Sequence, residues 1–144
     1  DEMSSRGLGD VYKRQAPGFD ARESVRVEQA KLIASFAQKL NSQKQAYYIT
    51  GDFNDHEHSA TLATLTNDTN TNLLFTLPEN ERYDYNHRGK LQVLMHGLVP
   101  NYLHTNGHAS YEILHGNELM GVNPGETSDK PSDHAYVIAK IKLA

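Results

Sequence analysis

The chain has 144 residues, carries a formal net charge of −4 and contains no cysteine. This length suits one domain with its own hydrophobic core. The acidic balance gives no overall basic field that would attract nucleic acid, which weakens the case for a DNA-binding module but not for a nuclease with a local basic patch. Disulfides and thiolate chemistry are excluded, and no apolar run approaches the ~18 residues of a membrane-spanning helix.

The first fifteen residues show no apolar periodicity and do not match the rest of the chain. Two interpretations are open for them: sequence translated from an adaptor or vector, or a natural disordered arm. In both cases residues 1–15 contribute nothing to the predicted fold. We therefore expect the folded domain to occupy residues 16–144.

A helix is predicted over residues 21–40. Asp20 followed by Glu23 is the capping-box pattern with Asp in the Ser/Thr role, and Lys39 suits the negative end of the helix dipole. The larger apolar residues gather on one stripe, which predicts a buried face. That stripe consists of Val25, Leu32, Ile33, Phe36, Ala37 and Leu40.

An apolar run at residues 46–50 predicts a strand, and its lack of clean alternation is typical of a central strand covered on both faces. A polar loop over residues 51–59 comes after this strand and begins with the motif Gly51-Asp52-Phe53-Asn54-Asp55. Downstream we expect a short helix, a turn-rich loop and a packed apolar segment, at residues 60–65, 67–72 and 73–77.

The remainder of the chain is predicted to be mainly β-structure. Residues 83–87 and 91–99 flank the turn Arg88-Gly89-Lys90 and are predicted to form a hairpin. A short strand at 111–115 and a long loop at 116–131 come next. In the last strand, residues 136–143, alternation places one set of side chains on one face: Val137, Ala139, Ile141 and Leu143. The pattern predicts a layered α/β or α+β domain, and we take it as α+β.

Two short polar motifs lie beside predicted strands. The motif at residues 51–55 comes directly after the first strand, and Ser132-Asp133-His134 precedes the last one. Strand ends hold polar side chains in fixed positions. Carboxylates, an amide and an imidazole are together the groups used in metal-assisted hydrolysis of phosphoesters. The alternative for each motif is ordinary turn chemistry, since Asp, Asn and Ser also stabilise turns.

These two motifs and the stretch at residues 83–100 resemble the C-terminal half of the endonuclease/exonuclease/phosphatase superfamily, the deoxyribonuclease I-like fold. The resemblance covers residues 18–144, and the segments at 77–83 and 112–117 are similar to bacterial members. It implies half of a four-layer α/β sandwich: one mainly antiparallel or mixed sheet with helices on its outer face. The other half of that fold supplies an Asn and a metal-binding Glu, so we expect this chain to be half of an enzyme.

The resemblance also implies a role for each residue of the motifs. Asp52 would orient or deprotonate the attacking water. Asn54 would hold the phosphate through its amide, and His134 would contact the scissile phosphate and stabilise its developing charge. Asp133 would bind Mg²⁺ or Mn²⁺, directly or through water. The implied function is metal-dependent hydrolysis of a phosphoester by a nuclease-like or phosphatase-like enzyme.

One residue departs from the family pattern. The family usually has Leu-Asp-His where this chain has Leu94-Met95-His96, and that Asp pairs with the His that corresponds to His134. The resemblance therefore implies that His134 lacks an orienting carboxylate. With the metal-binding Glu also missing, we expect weak or absent catalysis by this chain alone. The alternative function is a catalytically inactive remnant or binding module of the same fold.

The expected partner is a phosphoester substrate, with nucleic acid among the candidates. Without the other half of the fold, the apolar faces of residues 46–50, 91–99 and 136–143 should lie open and favour a homodimer through the exposed sheet face. His56 and His58 suggest a zinc site, but no third ligand has the standard spacing. The tyrosine-rich segments favour sheet packing over base stacking, and Arg88 and Lys90 favour a solvated turn.

Overall fold

The computed structural model describes residues 22–120 and 130–143, which form a mixed fold of helices and small antiparallel sheets. The α+β prediction is confirmed at this level. The helices are α1 (Glu23–Ser42), α2 (Ala60–Thr66) and α3 (Asn101–Thr105). The strands are β1 (Ile49–Asp52), β2 (Asn70–Asn72), β3 (Tyr85–His87), β4 (Lys90–Gln92), β5 (Met95–Pro100), β6 (Ala109–Leu114) and β7 (Tyr136–Ile141). None of the described helices is long and apolar enough to cross a bilayer.

Strand β5 is the centre of the main sheet, whose order is β1-β5-β2. Both neighbours pair with it in antiparallel register, with Ile49 and Asn72 both opposite Leu98. The predicted first strand is thus an edge strand within the described residues, and it starts at Ile49. Strand β2 occupies part of the predicted turn-rich loop. Val93, Leu98 and Val99 are buried, whereas Leu91 is 50% exposed. The expectation that the apolar face of residues 91–99 lies open is therefore wrong except at Leu91.

One face of this sheet is covered by α1 and α2. Leu62 and Leu65 of α2, Ala30 of α1 and Leu98 of β5 form a buried cluster. Helix α2 begins where predicted, because the hydroxyl of Ser59 accepts a hydrogen bond from the Leu62 N–H at 3.3 Å and so caps the helix.

Helix α1 buries only one residue of the predicted stripe, Ala37, and exposes most of the others. Val25, Leu32 and Phe36 are 54%, 74% and 61% exposed, and the buried positions are Ala30 and Ala37. Small side chains let the helix lie close to α2 and the sheet, which the larger residues of the predicted stripe would prevent. The helix begins at Glu23 with no side-chain cap at Arg22; the predicted cap, Asp20, lies outside the described residues.

The other face of the main sheet packs against the hairpin of β6 and β7. Its core is a cluster of Leu73, Leu74, Val93, Val99, Leu103, Tyr111, Ile113 and Ala135. The predicted alternation of β7 is confirmed for Val137, Ala139 and Ile141, which pack against this cluster, whereas Leu143 is exposed. Gly97 allows the close packing, since a Cβ there would lie 2.6 Å from both the Tyr111 ring and the Tyr48 hydroxyl.

Strands β3 and β4 form a separate short hairpin, with His87 opposite Lys90. Arg88 and Gly89 form its two-residue turn, and their φ angles of 51° and 85° are those of a type I′ turn. The predicted hairpin between 83–87 and 91–99 is therefore shorter than expected. After Gln92 the chain leaves β3, and β5 pairs with β1 and β2 instead. An isolated bridge between Tyr85 and His134 joins the hairpin to the segment before β7.

Candidate active site

Asp52 is the last residue of β1, and its side chain shapes the loop that comes next. Its Oδ1 accepts a hydrogen bond from the Asn54 N–H at 2.7 Å. Asn54 has a φ of 50°, in the left-handed region that Asn tolerates better than most residues. The turn chemistry considered as an alternative for this motif is therefore present. The bond from the Asn54 N–H also fixes the orientation of the Asp52 carboxylate. As a consequence, Oδ2 faces the site.

His134 lies beside Asp52, although 82 positions of the chain separate them. Its Nε2 is 3.7 Å from Oδ2 of Asp52. The Ser132 hydroxyl accepts the His134 N–H at 3.1 Å, and the Asn117 amide donates to the His134 carbonyl at 3.2 Å. The Tyr85 ring stacks on the imidazole at a centroid distance of 5.0 Å. These contacts hold the ring in one orientation.

Asp84 is the partner of His134 and was not foreseen from the sequence. Its Oδ1 lies 2.8 Å from Nδ1 of the imidazole. Its Oδ2 accepts the N–H groups of Leu94 and Met95 at 2.9 and 2.8 Å. The expectation that Met95 leaves His134 without an orienting carboxylate is therefore wrong. Met95 contributes its backbone N–H, and the carboxylate comes from the segment before β3.

Burial raises the pKa of Asp84, while the Met95 N–H, the His134 imidazole and the Leu94 N–H lower it. An ionised carboxylate only accepts hydrogen bonds, so with Asp84 ionised Nδ1 of His134 carries the proton. Nε2 then presents its lone pair toward Asp52. At 3.7 Å the two are too far apart for a direct hydrogen bond, and a water or substrate oxygen placed beside the pair can lie within hydrogen-bond distance of both. The arrangement is an imidazole oriented by one carboxylate and facing a second.

Asp133 is placed differently from the other predicted site residues. Its side chain is 68% exposed, and its carboxylate pairs with Lys130 at 3.2 Å. It forms no ion pair with His134 within the described residues. Asp52 and His134 are thus brought together. Asn54 joins them through its backbone N–H, which binds Asp52, and Asp133 is adjacent to His134 only along the chain.

The donor set must fit the expected divalent ion. Mg²⁺ keeps several waters and takes one or two carboxylates from the protein, and the exposed oxygens of Asp133 suit this. Within residues 22–120 and 130–143 no group of three His, Cys, Asp or Glu side chains is arranged to hold a metal. His56 and His58 contact each other through a 3.2 Å hydrogen bond from the His58 N–H to His56 Nδ1.

A buried histidine holds the loop that carries Asn54. Nε2 of His96, in β5, is 2.8 Å from the Asp55 carbonyl, and its Nδ1 is 3.0 Å from the Asn72 amide nitrogen. The Asn72 oxygen already accepts the Leu74 N–H, so its amide donates to Nδ1 and His96 carries its proton on Nε2. The Asp55 side chain ties the same loop to Arg26 of α1 at 3.1 Å.

We expect the protein to lose stability in mild acid because His96 must stay neutral. Burial lowers the pKa of His96 below its usual value of 6.5, although the Asp55 carbonyl and the carboxylates of Asp84, Glu57 and Asp55 oppose the shift. The unfolded chain therefore binds the proton first. The contribution of neutral His96 to the free energy of unfolding is complete above about pH 6.5. It is lost as the pH falls, and the free energy of unfolding then decreases by up to about 1.4 kcal/mol per pH unit.

Denaturant unfolding between about pH 5 and 7.5 measures this slope. His96→Gln should flatten it, and His104→Gln, at an exposed position, should leave it unchanged. If His96→Gln does not fold, NMR titration of the His96 ring in the wild type decides the question. A His96 pKa at or above 6.5 contradicts the prediction.

Asp84→Ala should lower the free energy of unfolding by about 2–5 kcal/mol, because two buried N–H groups and one imidazole lose their acceptor. Asp84→Asn should cost less, since its oxygen still accepts the N–H groups of Leu94 and Met95. Its amide then faces Nδ1 of His134 and moves the imidazole proton to Nε2, which ¹⁵N shifts of the ring detect. The exposed Glu79→Ala is the control. A loss below about 0.5 kcal/mol in Asp84→Ala would contradict this account.

Comparison with known proteins adds no assignment. No protein-family model, no curated protein and no solved structure matches the chain. A functional interpretation must therefore be argued from the geometry of Asp52, Asp84 and His134 and from the motifs that contain them.

Proposed function

We propose that this chain carries the catalytic side chains of a metal-dependent phosphoester hydrolase, nuclease-like or phosphatase-like. The observation that carries the proposal is the line of groups from Asp84 through His134 to Asp52, with distances of 2.8 and 3.7 Å. A buried carboxylate, an imidazole fixed by it and a second carboxylate across a gap are the parts of an activated-water site.

In the proposed reaction, Asp52 positions a water and accepts its proton as the oxygen attacks phosphorus. The bond from phosphorus to the leaving oxygen breaks on the opposite side. Asn54 and His134 donate hydrogen bonds to the phosphoryl oxygens, where negative charge develops. For this role His134 is in its protonated form, and the buried Asp84 stabilises the imidazolium.

Asp133 is the proposed protein ligand of the divalent ion. Its exposed carboxylate is available to a hydrated Mg²⁺ or Mn²⁺ once the pairing with Lys130 is given up. When bound, the ion would neutralise phosphate charge.

The inactive remnant or binding module remains the second candidate. The exposed position of Asp133 and its pairing with Lys130 favour it, since the acid expected to bind metal is engaged elsewhere. Asp84 favours the enzyme, because a binding module has no need of a buried carboxylate that fixes an imidazole. We place the enzyme first on this ground.

We further propose that the chain forms one half of a four-layer sandwich. Two features support this: β1 has no neighbour on its outer edge within the described residues, and α1 exposes Val25, Leu32 and Phe36. A further strand and a further layer would cover them. In the resemblance, the second half contributes an Asn and a metal-binding Glu to the same site.

Hydrolysis of bis(p-nitrophenyl) phosphate with and without Mg²⁺ or Mn²⁺ tests the proposed activity. The chain should show weak, metal-dependent turnover. Asp52→Asn and His134→Gln should each reduce it at least about 100-fold, as expected for a general base or a charge-stabilising donor. Asp68→Asn is the control, since it makes the same change at another exposed aspartate. Absence of turnover, or full turnover by Asp52→Asn, would favour the inactive module.

We also propose a homodimer through the outer face of the β6–β7 hairpin. Leu114 lies opposite Tyr136 there, and both are exposed together with Ile138. Sedimentation at about 100 µM should show a dimer, and Ile138→Lys should yield a monomer because a charge cannot be buried unpaired in an apolar interface. Leu119→Lys, at an exposed position outside this strand pair, is the control. A monomeric wild type would overturn the proposal.

A further inference from the structure

The β3–β4 hairpin connects the candidate active site to two cations. It starts at Tyr85, which bridges to His134, and its turn contains Arg88, with Lys90 directly after it. Both cations are exposed. Within residues 22–120 and 130–143, neither forms an ion pair or a side-chain hydrogen bond. The hairpin therefore holds two positive charges, Arg88 and Lys90, without an acidic partner among the described residues. The net charge of the whole chain is −4.

Aromatic rings extend in the same direction. The Tyr85 ring is nearly parallel to the His134 imidazole, at 27°, and to the His87 imidazole, at 24° with a centroid distance of 6.4 Å. Tyr85 and His87 are half-exposed. Planar groups that are partly open to solvent are the surfaces on which nucleobases stack, irrespective of sequence.

Arg88 occupies a position that local structure does not favour. The first residue of a type I′ turn has positive φ and is usually Asn, Asp or Gly. Arg88 adopts this conformation at φ 51°, and Gly89 closes the turn by donating its N–H to the Asn86 side chain at 2.9 Å. Neither the turn nor any described contact requires the guanidinium.

The spacing suits a chain of nucleotides. Arg88 is three residues beyond Tyr85, which is about 10 Å along an extended strand. A single strand whose bases keep duplex-like stacking rises about 3.4 Å per nucleotide. A phosphate held at the turn would thus lie two or three nucleotides, that is about 7–10 Å, from a base stacked beside His134.

We propose that the β3–β4 hairpin binds the nucleotides next to the scissile phosphate of a single-stranded polynucleotide. Tyr85 and His87 stack on bases, and Arg88 and Lys90 contact phosphates. This rests on the proposed function, since it names the substrate class of the same site. It assigns a binding role to cations that the sequence alone placed in a solvated turn.

Binding is measured without turnover, in EDTA, by the fluorescence anisotropy of a labelled short oligothymidylate over a range of salt. Arg88→Ala/Lys90→Ala should weaken binding several-fold and reduce the slope of log K against log[salt] by about 1.4, which is about 0.7 for each lost phosphate contact. Lys140→Ala/Lys142→Ala removes the same charge from two exposed positions, one in β7 and one just after it, and should behave as wild type.

Arg88→Asn separates binding from folding. Asn suits the positive φ of this turn, so the variant should melt at the same or a higher temperature than wild type and still bind the oligonucleotide more weakly. If Arg88→Asn binds as well as wild type, or if the Lys140/Lys142 pair has the same effect as the Arg88/Lys90 pair, the hairpin is not the binding element.

Two further probes define the ligand. Equal binding of oligouridylate and oligothymidylate, or a preference for either one, supports the proposal, because the stacking and phosphate contacts are shared. Tighter binding to a duplex of the same length overturns the single-stranded assignment. No step of the binding assay depends on hydrolysis. The hydrolysis test with Asp52→Asn and the binding test with the Arg88/Lys90 variant can therefore fail independently of each other.

Discussion

A carboxylate taken out of water keeps its charge only when hydrogen bonds replace its hydration. Asp84 meets this condition with three donors: the N–H groups of Leu94 and Met95, and the His134 imidazole. Its backbone carbonyl also accepts the Ala135 N–H at 2.7 Å. One residue therefore joins the hairpin, the start of β5 and the segment before β7. These bonds set the orientation of His134 relative to Asp52.

The elements were most predictable where side-chain periodicity is strong. The alternation of β7 is observed for Val137, Ala139 and Ile141, because a two-residue period leaves only two choices of face. The face of α1 was not predictable in this way. Its large apolar residues suggested one stripe, but close approach of the helix to α2 and β5 buries Ala30, which lies outside that stripe, and only Ala37 within it. Tertiary packing rather than side-chain hydrophobicity therefore decides which positions are buried.

The candidate site was partly predictable for a similar reason. Asp52 and His134 lie near strand ends, where motif and strand coincide in the sequence, and they do meet in space. Asp84 was missed because its role depends on backbone N–H groups, which every residue but proline carries and which leave no mark in a sequence. The one available signal was an acidic residue between two tyrosines, Tyr83 and Tyr85. The side chain at position 95 does not supply the carboxylate, because Met95 contributes its main-chain N–H to Asp84.

The contacts of Asp84 also set an order of events in folding. Its bonds to Leu94 and Met95 close loops of 10 and 11 residues, whereas its bond to His134 spans 50. Short loops close at a lower entropic cost and sooner than long ones. The Asp84 carboxylate can therefore bind the N–H groups of Leu94 and Met95 early in folding, before the His134 imidazole reaches it. During synthesis, a chain whose residues 130–143 are still inside the ribosome would lack the bond between Asp84 and His134. The imidazole would therefore come to face Asp52 only when that segment docks.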